Sequence, residues 1–197
     1  MTRQPTSLRH ACLASVLLLI VSAMPVAQTA VTPERYVATA VNLGQPGPTG
    51  PWTVEMVINR WSTDAERDRL ISRLIQKGPE ALLETLRELP RVGYIRTPDS
   101  LGYDLHFARK QPLGDGGERV SLATDRYISF WEATQRPRTV DYPFTYIELR
   151  LGPDGMGEGR MSIFTKIVYD KKENAIVLEN YGTQPVLMQN VRKETGR

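Results

Sequence analysis

Residues 144–191 read FTYIELRLGPDGMGEGRMSIFTKIVYDKKENAIVLENYGTQPVLMQNV, and this stretch decides the fold. Runs rich in β-branched and aromatic residues alternate with short segments of Gly, Pro, Asp and Asn, which are the residues that form tight turns. The runs predict four strands, at 144–151, 160–169, 175–181 and 186–191. Because turns this short join antiparallel strands, the stretch predicts a meander.

The residues before this stretch have the same character, with one interruption. Alternating apolar residues and turn-forming breaks predict further strands at 35–43, 52–61, 91–97, 102–111, 118–125 and 127–131. The connections between them are mostly of hairpin length. The sequence therefore predicts an α+β fold with a predominantly antiparallel meander sheet that is strongly bent or barrel-like.

A helical hairpin is predicted to interrupt the strands at about residues 63–89. Thr63 and Glu66 have the spacing of a capping box, and Gly78-Pro79 ends one helix and starts the next. Apolar residues recur at helical spacing in both segments, so we expect Leu74 and Leu86 to be buried against the sheet. A partner-binding surface is the alternative interpretation of this leucine stripe.

The N-terminus has the pattern of a secretory signal. Arg3 and Arg9 precede an apolar run at 11–21, and small residues follow it. We predict a signal peptide at 1–27, with cleavage between 27 and 30, and a single globular domain at 28–197. The apolar run is shorter than the roughly 20 residues that span a bilayer. An uncleaved anchor is the alternative, and the intact mass of the mature protein decides between the two.

The predicted cleavage restricts the chemistry of the mature protein. Cys12 is the only cysteine and His10 is one of two histidines, so the mature chain keeps His106 and no thiol. Multi-histidine zinc sites and thiolate chemistry are therefore excluded within one chain, and we expect no metal and no cofactor. Loss of two arginines lowers the net charge from +3 to +1, which gives no electrostatic footprint for nucleic acid.

His106 is the centre of the one catalytic arrangement that the residues allow. A period of two places Asp104 and His106 on one face of a strand, and Ser121 follows on the next strand. A hydrolase could use these residues, but no nucleophile-elbow motif is present. A solvated polar face explains the same pattern, and we favour it.

A second candidate site combines aromatic and charged residues at 124–132. Tyr127 and Trp131 supply apolar area, while Arg126 and Glu132 supply polar groups within the same predicted strand. Such a mixture can line a ligand pocket. Ordinary sheet packing beside a surface ion pair is the alternative.

Charged residues recur along the other predicted strands, and the sequence does not say which way they face. If they face outward they keep the sheet soluble, and if they face into a barrel they mark a cavity for a polar or anionic ligand. The residues are Arg96, Arg109, Arg119, Glu148, Arg150, Lys166 and Glu179.

Five short motifs resemble those of a family of small exported bacterial proteins to which no activity is assigned. The motifs lie at 59–63 (NRWST), 93–97 (GYIRT), 101–104 (LGYD), 124–132 (TDRYISFWE) and 178–181 (LENY). The resemblance covers nearly the whole mature chain. It implies a bacterial protein and assigns no catalytic residue.

Together these patterns predict an exported domain, periplasmic or extracellular, that binds a small molecule or an envelope protein without catalysis. Nucleic acid is not an expected partner, and no membrane span is expected after cleavage of the signal. The alternative is a hydrolase-type enzyme that uses Asp104 and His106.

Overall fold

The computed structural model describes residues 32–42, 50–98, 100–126, 143–180 and 184–194. These residues form ten strands and two helices. The helices are α1 (Asp64–Lys77) and α2 (Pro79–Glu88), between β2 and β3. The strands are β1 (Glu34–Val41), β2 (Pro51–Ile58), β3 (Gly93–Arg96), β4 (Tyr103–Leu105), β5 (Phe107–Pro112), β6 (Glu118–Thr124), β7 (Phe144–Leu151), β8 (Met156–Asp170), β9 (Ala175–Asn180) and β10 (Val186–Glu194).

The ten strands form one sheet in which the paired neighbours are antiparallel. Its order runs from β4 through β3, β2, β1, β10, β8, β7 and β6 to β5, and β9 pairs with β8 beside this path. The prediction of an α+β fold with a predominantly antiparallel sheet is confirmed. β1 and β10, which lie at opposite ends of the described chain, are neighbours.

One face of the sheet carries the main core. Every strand except β9 contributes at least one buried apolar side chain to a single cluster, as period-two alternation requires. In β1 the inward residues are Tyr36, Ala38 and Ala40, and in β2 they are Val54, Met56 and Ile58. The outer face of β5, β6 and β7 is consequently left for the helices.

The two helices form where the capping signals predict them. The Glu66 amide donates to Thr63 Oγ1 at 3.2 Å, and the Thr63 amide donates to Glu66 Oε2 at 2.8 Å, which completes the capping box. Gly78 ends α1 with a φ of 87°, which glycine adopts at little cost, and Pro79 starts α2. Neither described helix is long and apolar enough to cross a membrane.

The helices pack on the outer face of the sheet through a second apolar cluster. Leucines from both helices meet Ala123 of β6 and Phe144 of β7. Leu74 and Leu86 are buried, as predicted. The leucine stripe is therefore a packing surface.

A bulge at His106 breaks the strand that was predicted at 102–111. Leu105 and Ala108 both belong to the core although they are three residues apart. The His106 amide donates to the Ala123 carbonyl at 3.0 Å, and Phe107 is also the partner of Ala123, so two residues oppose one. The strand thus changes partner, because β4 pairs with β3 and β5 pairs with β6.

The distal half of β8 and β9 form a two-stranded arm at 165–180, which we call the β8–β9 arm. Ile167 pairs with Leu178 and Tyr169 with Ile176, and these side chains share one face of the arm. Ile167 and Tyr169 pack against the helix cluster. The arm therefore forms a third wall beside the helices and the sheet.

Candidate ligand-binding groove

The candidate site predicted at 124–132 lies only partly within the described residues. Arg126 donates its amide to Thr124 Oγ1 at 3.2 Å, and its Nε lies 3.7 Å from Asp125 Oδ1. Tyr127, Trp131 and Glu132 lie outside the described residues. A pocket at that strand stays a prediction.

The residues of the alternative hydrolase have separate partners. Asp104 Oδ1 lies 2.9 Å from Arg91 Nε, and no ion pair joins Asp104 to His106 within the described part of the chain. His106 Nδ1 lies 3.1 Å from the Leu89 carbonyl, and because a carbonyl only accepts, this nitrogen carries the proton. His106 Nε2 lies 3.8 Å from Asp125 Oδ1.

Ser121, the remaining residue of that arrangement, takes part in a different contact. Its Oγ accepts a hydrogen bond from the Tyr146 hydroxyl at 3.1 Å. Burial is the largest effect on Tyr146, and together with the Glu148 charge it raises the pKa of the phenol, so the hydroxyl is a neutral donor. The pair offers hydrogen bonding to a ligand.

A groove of about 440 Å³ lies between the helices, the outer face of the sheet and the β8–β9 arm. We call it the apolar groove, because most of its lining is aliphatic or aromatic. The apolar lining consists of Leu70, Ile71, Leu74, Leu82 and Leu86 from the helices, Phe107, Ala123 and Phe144 from the sheet, and Ile167, Ile176 and Leu178 from the arm. The polar lining consists of Arg67, Arg109, Gln111, Ser121, Tyr146 and Glu148.

Strand register aligns the polar groups of the groove floor. Ser121 is the cross-strand partner of both Arg109 and Glu148, so these three residues form one polar row across β5, β6 and β7. The next row is Phe107, Ala123 and Tyr146. Because side chains in one row share a face, the floor passes from apolar to polar within two residues along each strand.

Arg109 brings an incompletely paired guanidinium to the groove. Its Nη1 donates to Asp64 Oδ1 at 2.7 Å, and this hydrogen bond lowers the pKa of Asp64. Its Nε is buried and has no hydrogen-bond partner among the described residues. A buried donor without an acceptor costs about 1–3 kcal/mol, so this atom is a favourable position for an acceptor on a ligand.

A second cavity, the polar pocket, adjoins the apolar groove. It has a volume of about 470 Å³ and shares Tyr146, Glu148 and Leu178 with the groove. The rest of its lining comes mainly from β7, β8, β9 and β10 and is Arg150, Glu158, Gly159, Arg160, Ser162, Asn180, Pro185, Leu187, Met188 and Gln189. The polar pocket is therefore rich in hydrogen-bonding groups, whereas the lining of the apolar groove is mostly apolar.

No group of three or more His, Cys, Asp and Glu side chains within the described ranges is arranged to hold a metal ion. A charged cluster is centred on Glu34, whose carboxylate is bonded to two lysines that also lie near Glu118. It accepts from Lys110 Nζ at 2.7 Å, Lys193 Nζ at 2.6 Å, the Tyr36 hydroxyl at 2.9 Å and Trp61 Nε1 at 3.1 Å. These contacts join β1, β5 and β10.

The Glu34 cluster is expected to make stability depend on acid pH. Burial raises the pKa of Glu34, but its four hydrogen bonds outweigh burial and lower the pKa from 4.5 to about 2. The stabilisation is therefore complete above pH 4.5 and is lost as the pH falls toward 2. We expect a loss of about 1–2 kcal/mol across this window, since water screens the partly exposed carboxylate.

Urea unfolding at several pH values checks this expectation. Glu34→Gln should flatten the dependence of the unfolding free energy on pH between 4.5 and 2, whereas Glu84→Gln, at an exposed position of α2, should leave it unchanged. Equal pH dependence in wild type and Glu34→Gln would show that another carboxylate is responsible.

The sequence identified the components of the groove without assembling them. Arg109 and Glu148 are among the charged strand residues for which the sequence does not show which side of the sheet they face. Leu74 and Leu86 are among the residues predicted to be buried. The pattern that could have revealed the groove is the shared register of Arg109, Ser121 and Glu148. This register becomes visible only when the strand pairs are known.

No protein-family model, curated protein or solved structure matches this chain.

Proposed function

We propose that this protein binds an amphipathic small molecule without catalysis, and that the hydrocarbon part of the ligand lies in the apolar groove. The observation that carries the proposal is a largely apolar cavity in which a few polar groups converge on one row of the floor. Ligand pockets commonly have this composition, and their volumes are about 300–1,000 Å³. At about 440 Å³ the groove is within that range.

A hydrogen-bond acceptor next to the hydrocarbon part of the ligand is proposed to lie beside Arg109. The unpaired Nε of Arg109 gains an acceptor there, and the Tyr146 and Ser121 hydroxyls lie on the same floor. Asp64 already offsets the guanidinium charge at 2.7 Å. An uncharged acceptor such as an ester, an amide or a hydroxyl therefore suits this position as well as a carboxylate does.

We also propose that the sheet is barrel-like, which would fix the floor of the groove. Lys110 of β5 reaches Glu34 of β1 although four strands lie between β1 and β5 in the hydrogen-bonded order. The two ends of that order, β4 and β5, are consecutive in the chain, and the His106 amide donates to β6. These contacts support a strongly bent sheet.

Export of the protein remains part of the proposal. Its support is the pattern of charged, apolar and small residues at 1–30. An exported protein meets amphipathic molecules in the cell envelope or outside the cell, which agrees with a site for a hydrocarbon chain.

A matched pair of substitutions on the β8–β9 arm tests the groove. Ile176 lines the groove, while Val177 is its neighbour on the opposite face of β9, and both side chains are exposed. Ile176→Asp should weaken binding of an amphiphile with about ten chain carbons at least tenfold, because it places a charge beside the apolar part of the ligand. Val177→Asp should change the affinity less than about twofold.

Calorimetric titration of soluble fatty acids and monoacylglycerols, below their micelle concentrations, measures both effects. Thermal melts of the two variants serve as the control for folding. The proposal fails if no amphiphile binds the wild type, or if both substitutions weaken binding equally.

A further inference from the structure

We infer that the ligand of the apolar groove carries an uncharged headgroup rich in hydroxyls, and that this headgroup occupies the polar pocket. The inference rests on the proposed function, since it assigns the polar end of the same ligand. It narrows the ligand from amphiphiles in general to those of the glycoside class.

The two cavities are placed to hold the two ends of one molecule. Tyr146, Glu148 and Leu178 line both the apolar groove and the polar pocket. The groove lies over β5, β6 and β7, and the pocket continues across β7, β8 and β10. A ligand that crosses β7 therefore passes from hydrocarbon surroundings into polar ones without leaving the outer face of the sheet.

The charges in the polar pocket balance. Two arginines and two glutamates line it, and strand register places Glu148 opposite Arg160 and Arg150 opposite Glu158. Two of these charges also have partners beside the pocket, since Arg150 Nη2 lies 3.0 Å from Asp115 Oδ2 and Glu148 Oε1 lies 3.9 Å from Arg119 Nε. A headgroup with a net charge would meet one repulsive group for each attractive one, so the pocket favours a neutral headgroup.

The hydrogen-bonding capacity of the pocket requires a headgroup that donates. Asn180 Oδ1 is buried and has no hydrogen-bond partner among the described residues, and the Glu148 and Glu158 carboxylates are acceptors only. A carboxylate or a fully ionised phosphate has no proton to offer to these oxygens. A hydroxyl donates to them and also accepts from Arg150 and Arg160.

The test compares ligands that share a chain length of about ten carbons and differ in the headgroup. An alkyl glucoside, the matching fatty acid and the matching alkyl trimethylammonium are titrated below their micelle concentrations, with free glucose as a fourth ligand. We expect the glucoside to bind about tenfold more tightly than either charged amphiphile. Glucose alone should not bind measurably, because the chain provides most of the apolar contact.

Substitutions then locate the headgroup. Asn180→Ala should weaken glucoside binding about fivefold to tenfold and leave fatty-acid binding unchanged. Glu179→Ala is the control, because Glu179 precedes Asn180 and lies on the other face of the arm, and it should change the affinity for neither ligand. Glu158→Gln, at an exposed position of β8, is a second variant with little effect on folding, and it should also weaken only the glucoside.

The outcomes separate this inference from the proposed function. Three results would overturn the hydroxylated headgroup and leave the groove proposal intact. The fatty acid could bind as tightly as the glucoside, or free glucose could do so. Alternatively, Asn180→Ala and Glu158→Gln could weaken both amphiphiles equally. Absence of binding by every amphiphile would instead overturn the proposed function itself.

Discussion

Leu86→Ala and Leu74→Ala are each expected to lower the free energy of unfolding by about 2–5 kcal/mol. Leu86 is 2 % exposed and Leu74 is 3 % exposed, and both belong to the apolar cluster that holds the helices on β6 and β7. Truncation removes buried methyl groups and leaves a void that the neighbouring leucines fill only in part. The loss should be large because this cluster fixes both helices on the sheet.

Ile75 provides the control on the same helix. It follows Leu74 directly but is 42 % exposed, so Ile75→Ala should cost less than about 1 kcal/mol. Urea unfolding followed by far-ultraviolet circular dichroism measures all three variants. Losses below about 0.5 kcal/mol at both Leu74 and Leu86 would mean that the helices do not pack on the sheet in solution.

Gly157→Ala is expected to destabilise the protein by about 3 kcal/mol or more. A Cβ at this position would lie 1.9 Å from the Arg150 carbonyl oxygen and 2.8 Å from the Leu151 Cα. Gly157 is the cross-strand partner of Leu151 in β7 and of Val191 in β10. Because the close atoms belong to the backbone of a paired strand, relief of the clash would have to move β7 itself.

Gly114→Ala separates this steric effect from the general effect of replacing glycine. No heavy atom lies within 4 Å of a Cβ built on Gly114, so the substitution should change stability by less than about 1 kcal/mol and can be stabilising through the unfolded state. The shift in the urea midpoint, measured at constant slope, gives both values. A tolerated Gly157→Ala would contradict the close approach of β7 and β8.

Several elements follow from local sequence because their causes are local. Phe144–Leu151 is a strand with the predicted bounds, and the helices begin at the capping box and at Pro79 as expected. Turn residues and capping hydrogen bonds act over three or four positions, so the sequence alone contains them. The antiparallel character of the sheet follows in the same way from the short connections.

Other features arise only when distant residues meet. β8 extends from Met156 to Asp170 because β10 and β7 pair with its first half and β9 with its second, which no local pattern encodes. The bulge at His106 is likewise set by where Ala123 lies on the next strand. The bulge lies between Leu105 and Ala108, which are both in the core, so the simple alternation of the strand ends after His106.

The candidate groove shows the same division between local and tertiary causes. The sequence by itself determined that Arg109 and Glu148 are strand residues and that Leu74 and Leu86 lie on apolar helix faces. Only the tertiary structure decided that these four residues line one cavity, on the outer face of the sheet. The physical reason is that hydrogen bonding between strands sets their register, and the register places Arg109 beside Glu148 across the sheet. Burial of the leucine stripe determines which face of the sheet the helices cover.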